Sequence, residues 1–370
     1  MKKSILLIFI FCYSANVYCQ TSIQLAASGR AKFKLGDMKG AVADYSSAIN
    51  LAPSDSLYLL RAFVKVYLND FQGVIADCTK SIELNPNREL AYSLRGKVKF
   101  QLNDYENALT DFNKALQLEP ADEEIYALRG MTAFALKDYK NALTDFTKAI
   151  ELNPNDEGAY LTRGAAEKTL NDQQGAIADF DKVIQMNPNN FAAYNERGGA
   201  KIHLGDYQGV VTDCSKAIEL KPDFLEAYIN RGLAKVNLND YKGAIADYDK
   251  AITLDPNVQD AYIYSGVSKD RLCDFIGAAA DYAKAVELNP NSLTIYVNRA
   301  LLRLHTGDYK GSVADCNKSI EMGCKDSQVY YNRAYAKYYD HDKAGACADW
   351  NKALQMGDKT ADVEIKKYCK

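Results

Sequence analysis

A tyrosine returns every 34 residues along this chain: Tyr58, Tyr92, Tyr126, Tyr160, Tyr194, Tyr228, Tyr262, Tyr296 and Tyr330. All eight prolines keep the same register, at Pro53, Pro86, Pro120, Pro154, Pro188, Pro222, Pro256 and Pro290. An aspartate marks ten copies, at Asp44, Asp77, Asp111, Asp145, Asp179, Asp213, Asp247, Asp281, Asp315 and Asp349, and the first copy is one residue short between Pro53 and Tyr58. Self-similarity at this period is the signature of stacked supersecondary units, each too small to bury its own apolar face. At 370 residues the chain is also too long for one ordinary core.

Residues 92–120 show the physics of one copy. Tyr92, Gly96 and Phe100 lie four apart on one face of a first helix, and Ala108, Phe112 and Ala115 lie on one face of a second. Asn103-Asp104 supplies the turn, replaced elsewhere by Gly36-Asp37, Gly205-Asp206 or Gly307-Asp308. Pro120 cannot continue the second helix and ends the copy. Small residues such as Gly130, Ala142 and Ala149, or Gly232, Ala244 and Ala251, recur where helix axes must approach closely.

These residues carry a resemblance to the tetratricopeptide repeat family, whose copies combine an aromatic, a small residue, a second pair of small residues and a closing proline. The resemblance spans about residues 22–358. It implies an all-α fold: a right-handed superhelical solenoid of about ten helix-turn-helix repeats whose first helices line a concave groove. Architecture follows from such a signature and the identity of a partner does not. The expected organisation is a leader over 1–19, ten repeats over 20–358 and a polar capping helix over 359–370, KTADVEIKKYCK.

One position departs from the family pattern. Where an apolar residue is usual, an arginine stands in eight copies: Arg61, Arg95, Arg129, Arg163, Arg197, Arg231, Arg299 and Arg333. Lys65, Lys99, Lys201, Lys235 and Lys337 follow four residues later, so both cations share one helix face and need an anion nearby. The recurrent aspartate of the second helix is the candidate. The expectation is a structural ladder, Arg95 to Asp111, Arg129 to Asp145, Arg163 to Asp179, Arg197 to Asp213 and Arg231 to Asp247; the alternative is a track that binds anions.

The first helices carry a second stripe outside this pattern. It reads Leu59, Phe63 and Val66 in one copy, then Ser93, Lys97 and Phe100, Ala127, Met131 and Phe134, Ile229, Leu233 and Val236, Val297, Leu301 and Leu304, and finally Tyr331, Tyr335 and Tyr338 with Tyr339 beside them, largely apolar over most of the array. A solvated face would be polar. Part of each stripe can pack on the next repeat; the remainder reads as an apolar groove for an extended or helical peptide. Phe63, Met131, Leu233, Leu301, Tyr331, Tyr335, Tyr338 and Tyr339 are its candidate contacts, the tyrosines because they offer large rigid area with a hydroxyl. The lysine and asparagine grip that some family members place on a partner's terminal carboxylate has no match, because those positions here are mostly apolar.

Residues 1–19 differ from the rest. Lys2 and Lys3 precede an apolar run from Ile5 to Cys12, too short for a stable span, and Val17 and Cys19 would precede a cleavage site before Gln20. The reading is a secretory signal peptide and an exported protein, periplasmic or secreted, that does not insert in a membrane once the leader is gone. Lipid anchoring at Cys19 is a weaker alternative, since Tyr18 is bulky where a small residue is wanted; an uncleaved anchor is another. Net charge is −3 with no basic block, which disfavours nucleic acid.

Catalytic chemistry is not legible. His203, His305 and His341 stand in separate copies without ligand-spaced partners, and no phosphate-cradling loop or nucleophile elbow is present. No cofactor or metal is expected. Cys78, Cys214 and Cys316 take places held elsewhere by Phe or Tyr and read as core fillers, whereas Cys324, Cys347 and Cys369 cluster late enough for a disulfide among them. The leading expectation is therefore a non-enzymatic scaffold or adaptor that binds a protein or peptide. The alternatives are an accessory subunit presenting substrate to a separately encoded enzyme, a self-associating structural component of an envelope assembly, and a cytosolic co-chaperone scaffold.

Overall fold

The computed structural model describes residues 20–370, so the leader expected over 1–19 lies outside the described residues. All regular structure within them is helical. The chain divides into two compact units. The first contains five helix pairs: α1 (20–34) with α2 (Met38–Leu51), α3 (Asp55–Tyr67) with α4 (Phe71–Leu84), α5 (Glu89–Gln101) with α6 (Tyr105–Leu118), α7 (Glu123–Ala135) with α8 (Tyr139–Leu152), and α9 (Glu157–Thr169) with α10 (Gln173–Met186). The second begins at Asn187 and holds five more: α11 (Phe191–Leu204) with α12 (Tyr207–Leu220), α13 (Leu225–Asn237) with α14 (Tyr241–Leu254), α15 (Gln259–Arg271) with α16 (Phe275–Leu288), α17 (Leu293–Thr306) with α18 (Tyr309–Glu321), and α19 (Ser327–Tyr339) with α20 (Lys343–Gln355). A final helix, α21 (Ala361–Tyr368), follows.

Every hairpin turns by the same device. One or two residues past each first helix the backbone takes positive φ, from Gly36 at 82° and Asn103 at 60° to His341 at 67°. Glycine and asparagine tolerate that region; Lys137 and Cys273, also in it at 62°, do so at a cost. The next residue is an aspartate whose carboxylate accepts an N–H of the following turn, as Asp70 does from Gly73 and Asp240 from Gly243, both at 3.0 Å. His341, one of the three histidines without ligand-spaced partners, is a turn residue.

The core of most pairs is a small residue facing a ring. A Cβ on Gly96 would stand 2.8 Å from Phe112, and one on Gly232 would stand 2.7 Å from Tyr248, so only glycine lets these helices close. In three pairs a cysteine takes the place of the ring: Cys78 beside Ala62, Cys316 beside Ala300 and Cys214 beside Gly198. Burial pushes these thiols up to about 12. Such thiols are inert packing groups.

Within each unit a first helix packs on its own second helix and on the second helix before it, and consecutive first helices also touch, as α5 does α7 and α13 does α15. Their outer sides therefore form one continuous surface per unit. Tyr228 and Tyr296 fix the loops by donating to the carbonyls of Pro222 and Pro290, at 3.0 and 2.9 Å.

The C-terminal segment is more than a polar cover. Val363 occupies the register of the buried Val329 but is 61% exposed, while Ala361 is buried instead. α21 thus presents a different face from a repeat helix. Its Tyr368 ring stacks on Trp350 at 5.6 Å and meets Tyr338 at 4.5 Å. A Cys347–Cys369 disulfide ties it to α20, and Cys324, the third of the late cysteines, keeps a free thiol.

Candidate binding surface

The charged register is satisfied internally. Arg95 donates Nε and Nη2 to the two oxygens of Asp111 at 2.9 and 2.7 Å, and Lys99 adds a third bond at 2.7 Å. Arg129 holds Asp145 at 2.8 and 2.6 Å, Arg163 holds Asp179 at 2.8 and 2.7 Å, and Arg231 holds Asp247 at 3.0 and 2.6 Å. Arg197 grips Asp213 with the same fork, joined by Lys201 at 2.8 Å. The third nitrogen reaches back one repeat: Arg95 Nη1 donates to Thr79 and Arg129 Nη1 to Asn113. Each guanidinium also lies over the register tyrosine three residues earlier, as Arg129 does over Tyr126 at 5.5 Å. The hydrogen bonds it donates to Asp179 hold Arg163 above the ordinary arginine range against the desolvation that opposes it.

This geometry speaks to the anion-track alternative. A recess of about 620 Å³ lies beside the ladder, lined by Tyr126, Arg129, Thr144, Asp145, Lys148 and Glu151 among others. Its cations are already paired, Arg129 with Asp145 and Lys148 with Glu151 at 2.9 Å. No uncompensated positive charge faces it.

Two copies break the ladder. Ser28 and Ser265 stand where arginine is usual; the Ser28 hydroxyl donates to Asp44 at 2.6 Å, while the buried Ser265 oxygen has no partner. In the fifth copy Glu167 replaces the lysine. Burial and the facing Asp179 charge raise its carboxyl to about 7.

The first-helix surface divides the predicted contacts. In the first unit Phe63 and Met131 are exposed, and Tyr67 beside Phe63 is 65% exposed. A cleft of about 360 Å³ opens between α1 and α3, walled by Arg30, Phe33, Lys34, Leu60, Phe63 and Tyr67 over a floor of Tyr45 and Val64. A second, of about 420 Å³, adjoins it through the shared Arg30 and Leu60. In the second unit Leu233 and Leu301 are half-buried, Asn230 donates to Asn195 at 2.9 Å, and His305 meets Asp270 at 3.3 Å.

The tyrosine cluster splits. Tyr335 packs edge-on against Trp350 at 5.4 Å, and Tyr338 lies on Tyr368, so both serve the C-terminal cap. Tyr331 meets Tyr335 at 5.2 Å, and Tyr339, stacked on Tyr309 at 5.2 Å, keeps an open ring. The sequence reading passed over Arg30, Phe33, Lys34 and Tyr67. Their signal was available, since Phe33 holds in the first copy the place Val66 holds in the second. Among the described residues no cluster of three or more His, Cys, Asp or Glu is arranged for a metal, and no helix is long and apolar enough to cross a membrane.

Stacked helix pairs with close small-residue contacts, left-handed turns and, in eight of them, a closing proline define a helical-repeat protein. The chain is a tetratricopeptide repeat protein: it matches that repeat at 25–55, 123–156, 157–190 and 225–258, with a further repeat match over 96–136. Among solved structures it is similar to a tetratricopeptide repeat protein from Parabacteroides merdae, at 20% identity over 67% of this chain and 99% of that one with a TM-score of 0.49. It is similar also to yeast Tom70, at 17% identity, 93% of both chains and 0.43, and to YrrB, described as having an unusual peptide-binding site, at 23% identity, 50% of this chain, 95% of that one and 0.45. No curated protein matches.

Proposed function

We propose that this protein is an exported, non-catalytic scaffold that holds a protein or peptide segment against the outer side of its first helices. The observation that carries the reading is a contrast within each repeat. The Arg–Asp register is paired and turned inward, while the neighbouring stripe leaves Phe63, Tyr67, Met131 and Tyr339 open to solvent. Exposed aromatic and methionine side chains on a rigid face are efficient contacts for another chain. A non-catalytic role is supported by the inert thiols and by carboxylates that the repeat register already employs. Export is supported by the Lys2–Lys3 and apolar pattern of the leader and by a disulfide at Cys347–Cys369, a bond that oxidising compartments sustain.

The test is cross-linked capture from envelope and extracellular fractions with the wild type, with Phe63→Ala plus Met131→Ala, and with Leu301→Ala plus Tyr339→Ala. A partner held by the wild type and lost by either folded variant is the expected result. Identical partners on all three would move the site off this surface.

A further inference from the structure

We propose that the paired clefts between α1 and α3 dock a partner segment in which a bulky apolar side chain is flanked by carboxylates. This rests on the scaffold reading and gives one part of that surface a ligand chemistry.

The argument begins with unbalanced charge. Along the ladder every arginine meets an aspartate, but Arg30 and Lys34 have no carboxylate partner among the described residues. Arg30 lines both clefts, and in the first it stands with the buried Tyr45. Every residue lining the two clefts is apolar, aromatic, a small hydroxyl or cationic, and none is acidic. A carboxylate brought here would find two cations and no repulsion, with low-dielectric walls that strengthen the attraction.

The apolar half is equally specific. Phe33 and Tyr67 meet edge to face at 5.3 Å and form one wall, with Phe63 beside them. Ile23, at 64% exposure, extends the same apolar surface into the second cleft. Exposed rings of this density around a depression of about 360 Å³ leave room for a Leu or Phe side chain. An acidic segment without an apolar anchor would leave these rings wet, and an apolar segment without acids would leave the cations unanswered.

The experiment uses two end-blocked synthetic peptides of about ten residues with the same Leu and Phe core, one flanked by glutamates and one by lysines, so that no terminal carboxylate contributes. Fluorescence anisotropy of the purified protein should show binding of the glutamate peptide that weakens with added salt. Arg30→Glu with Lys34→Glu should weaken it about tenfold or more, and Phe63→Ala comparably, while Ile276→Ala, at a site exposed on a second helix, leaves it unchanged; Leu301→Ala with Tyr339→Ala is measured beside them. All of these residues lie outside the core, and far-ultraviolet circular dichroism checks that the variants fold. Equal binding of the lysine peptide overturns the assignment, as does binding of neither. A loss that follows Leu301 and Tyr339 rather than Arg30 and Phe63 overturns it while leaving the scaffold reading intact. Self-association abolished by the charge reversal would give the cleft to a second copy and overturn it too.

Discussion

At the register positions of Arg30, Lys34, Lys168 and Glu124, the first helices of the first unit carry the cations Arg30, Lys34, Lys97 and Lys168, with Glu124 as the one carboxylate. On those of the second unit, the same register positions hold Glu226, Asp260 and Asp270 against Arg271, with His203 and His305. The interior does not change in this way: Arg95 meets Asp111 in the first unit as Arg231 meets Asp247 in the second. An aspartate buried between helices must keep a cation, whichever repeat it belongs to, so the ladder is repeated. A residue on the open face has no buried aspartate to answer, so its charge can be set by what it binds. The uniform positions therefore report the fold and the variable ones report the function.

The largest effect that sharpens this comparison lies in the ladder. Arg95→Ala should destabilise the protein by about 3 kcal/mol or more, because it strips the forked partner from Asp111, which is 1% exposed. Lys269→Ala in the second unit should cost less, since Asp281 already lacks an arginine and is less buried. Urea unfolding compares the two. Equal losses would mean that the arginine fork adds nothing to the lysine contact, and the ladder would no longer explain the uniformity of the interior.

A smaller effect separates the two ends. Reduction of Cys347–Cys369, or Cys347→Ser, should cost up to about 3 kcal/mol for a loop of this length, confined to α20, α21 and the Trp350 stack. Hydrogen exchange should show protection lost there and retained in α3 and α4. Loss across the first unit as well would break the picture of two units with separate ends, since stability in a repeat array is otherwise a sum of local terms.

Much of this was legible before any coordinates. Periodicity gave the hairpins because tyrosine, proline and aspartate each perform a local task that recurs in every copy. The sixteen-residue step from Arg95 to Asp111 was readable for the same reason. Two things were not. Tyr335 and Tyr338 looked like groove residues because the pattern of the repeat contains no information about α21, which covers them only after the array has ended. The N-terminal cleft escaped because it depends on which face of α1 is left bare, a matter of neighbours rather than of spacing. Leu35 makes the same point: its counterpart Leu102 is 40% exposed, whereas Leu35, with no described second helix before it, is 85% exposed.

The smallest effect tests the one acid that entered the ladder. Glu167 sits where Lys99 and Lys235 sit in other copies, and its carboxyl, raised to about 7 from an unfolded value near 4.5, binds its proton more tightly in the folded protein. The folded state thus holds more protons than the unfolded state between those two values, and stability contributed by this group falls as pH rises through that window. It is fully present below about 4.5 and gone above about 7. Thermal midpoints of wild type and Glu167→Gln should therefore diverge, the wild type alone losing ground from pH 5 to 8 through this group. Glu167→Lys should raise the midpoint at pH 8, because it returns a cation to Asp179 as Lys99 provides one to Asp111. An unchanged pH dependence in Glu167→Gln would mean that water reaches the Glu167–Asp179 contact and screens it, and the fifth repeat would then be as indifferent to its ladder residue as the open face is to its own.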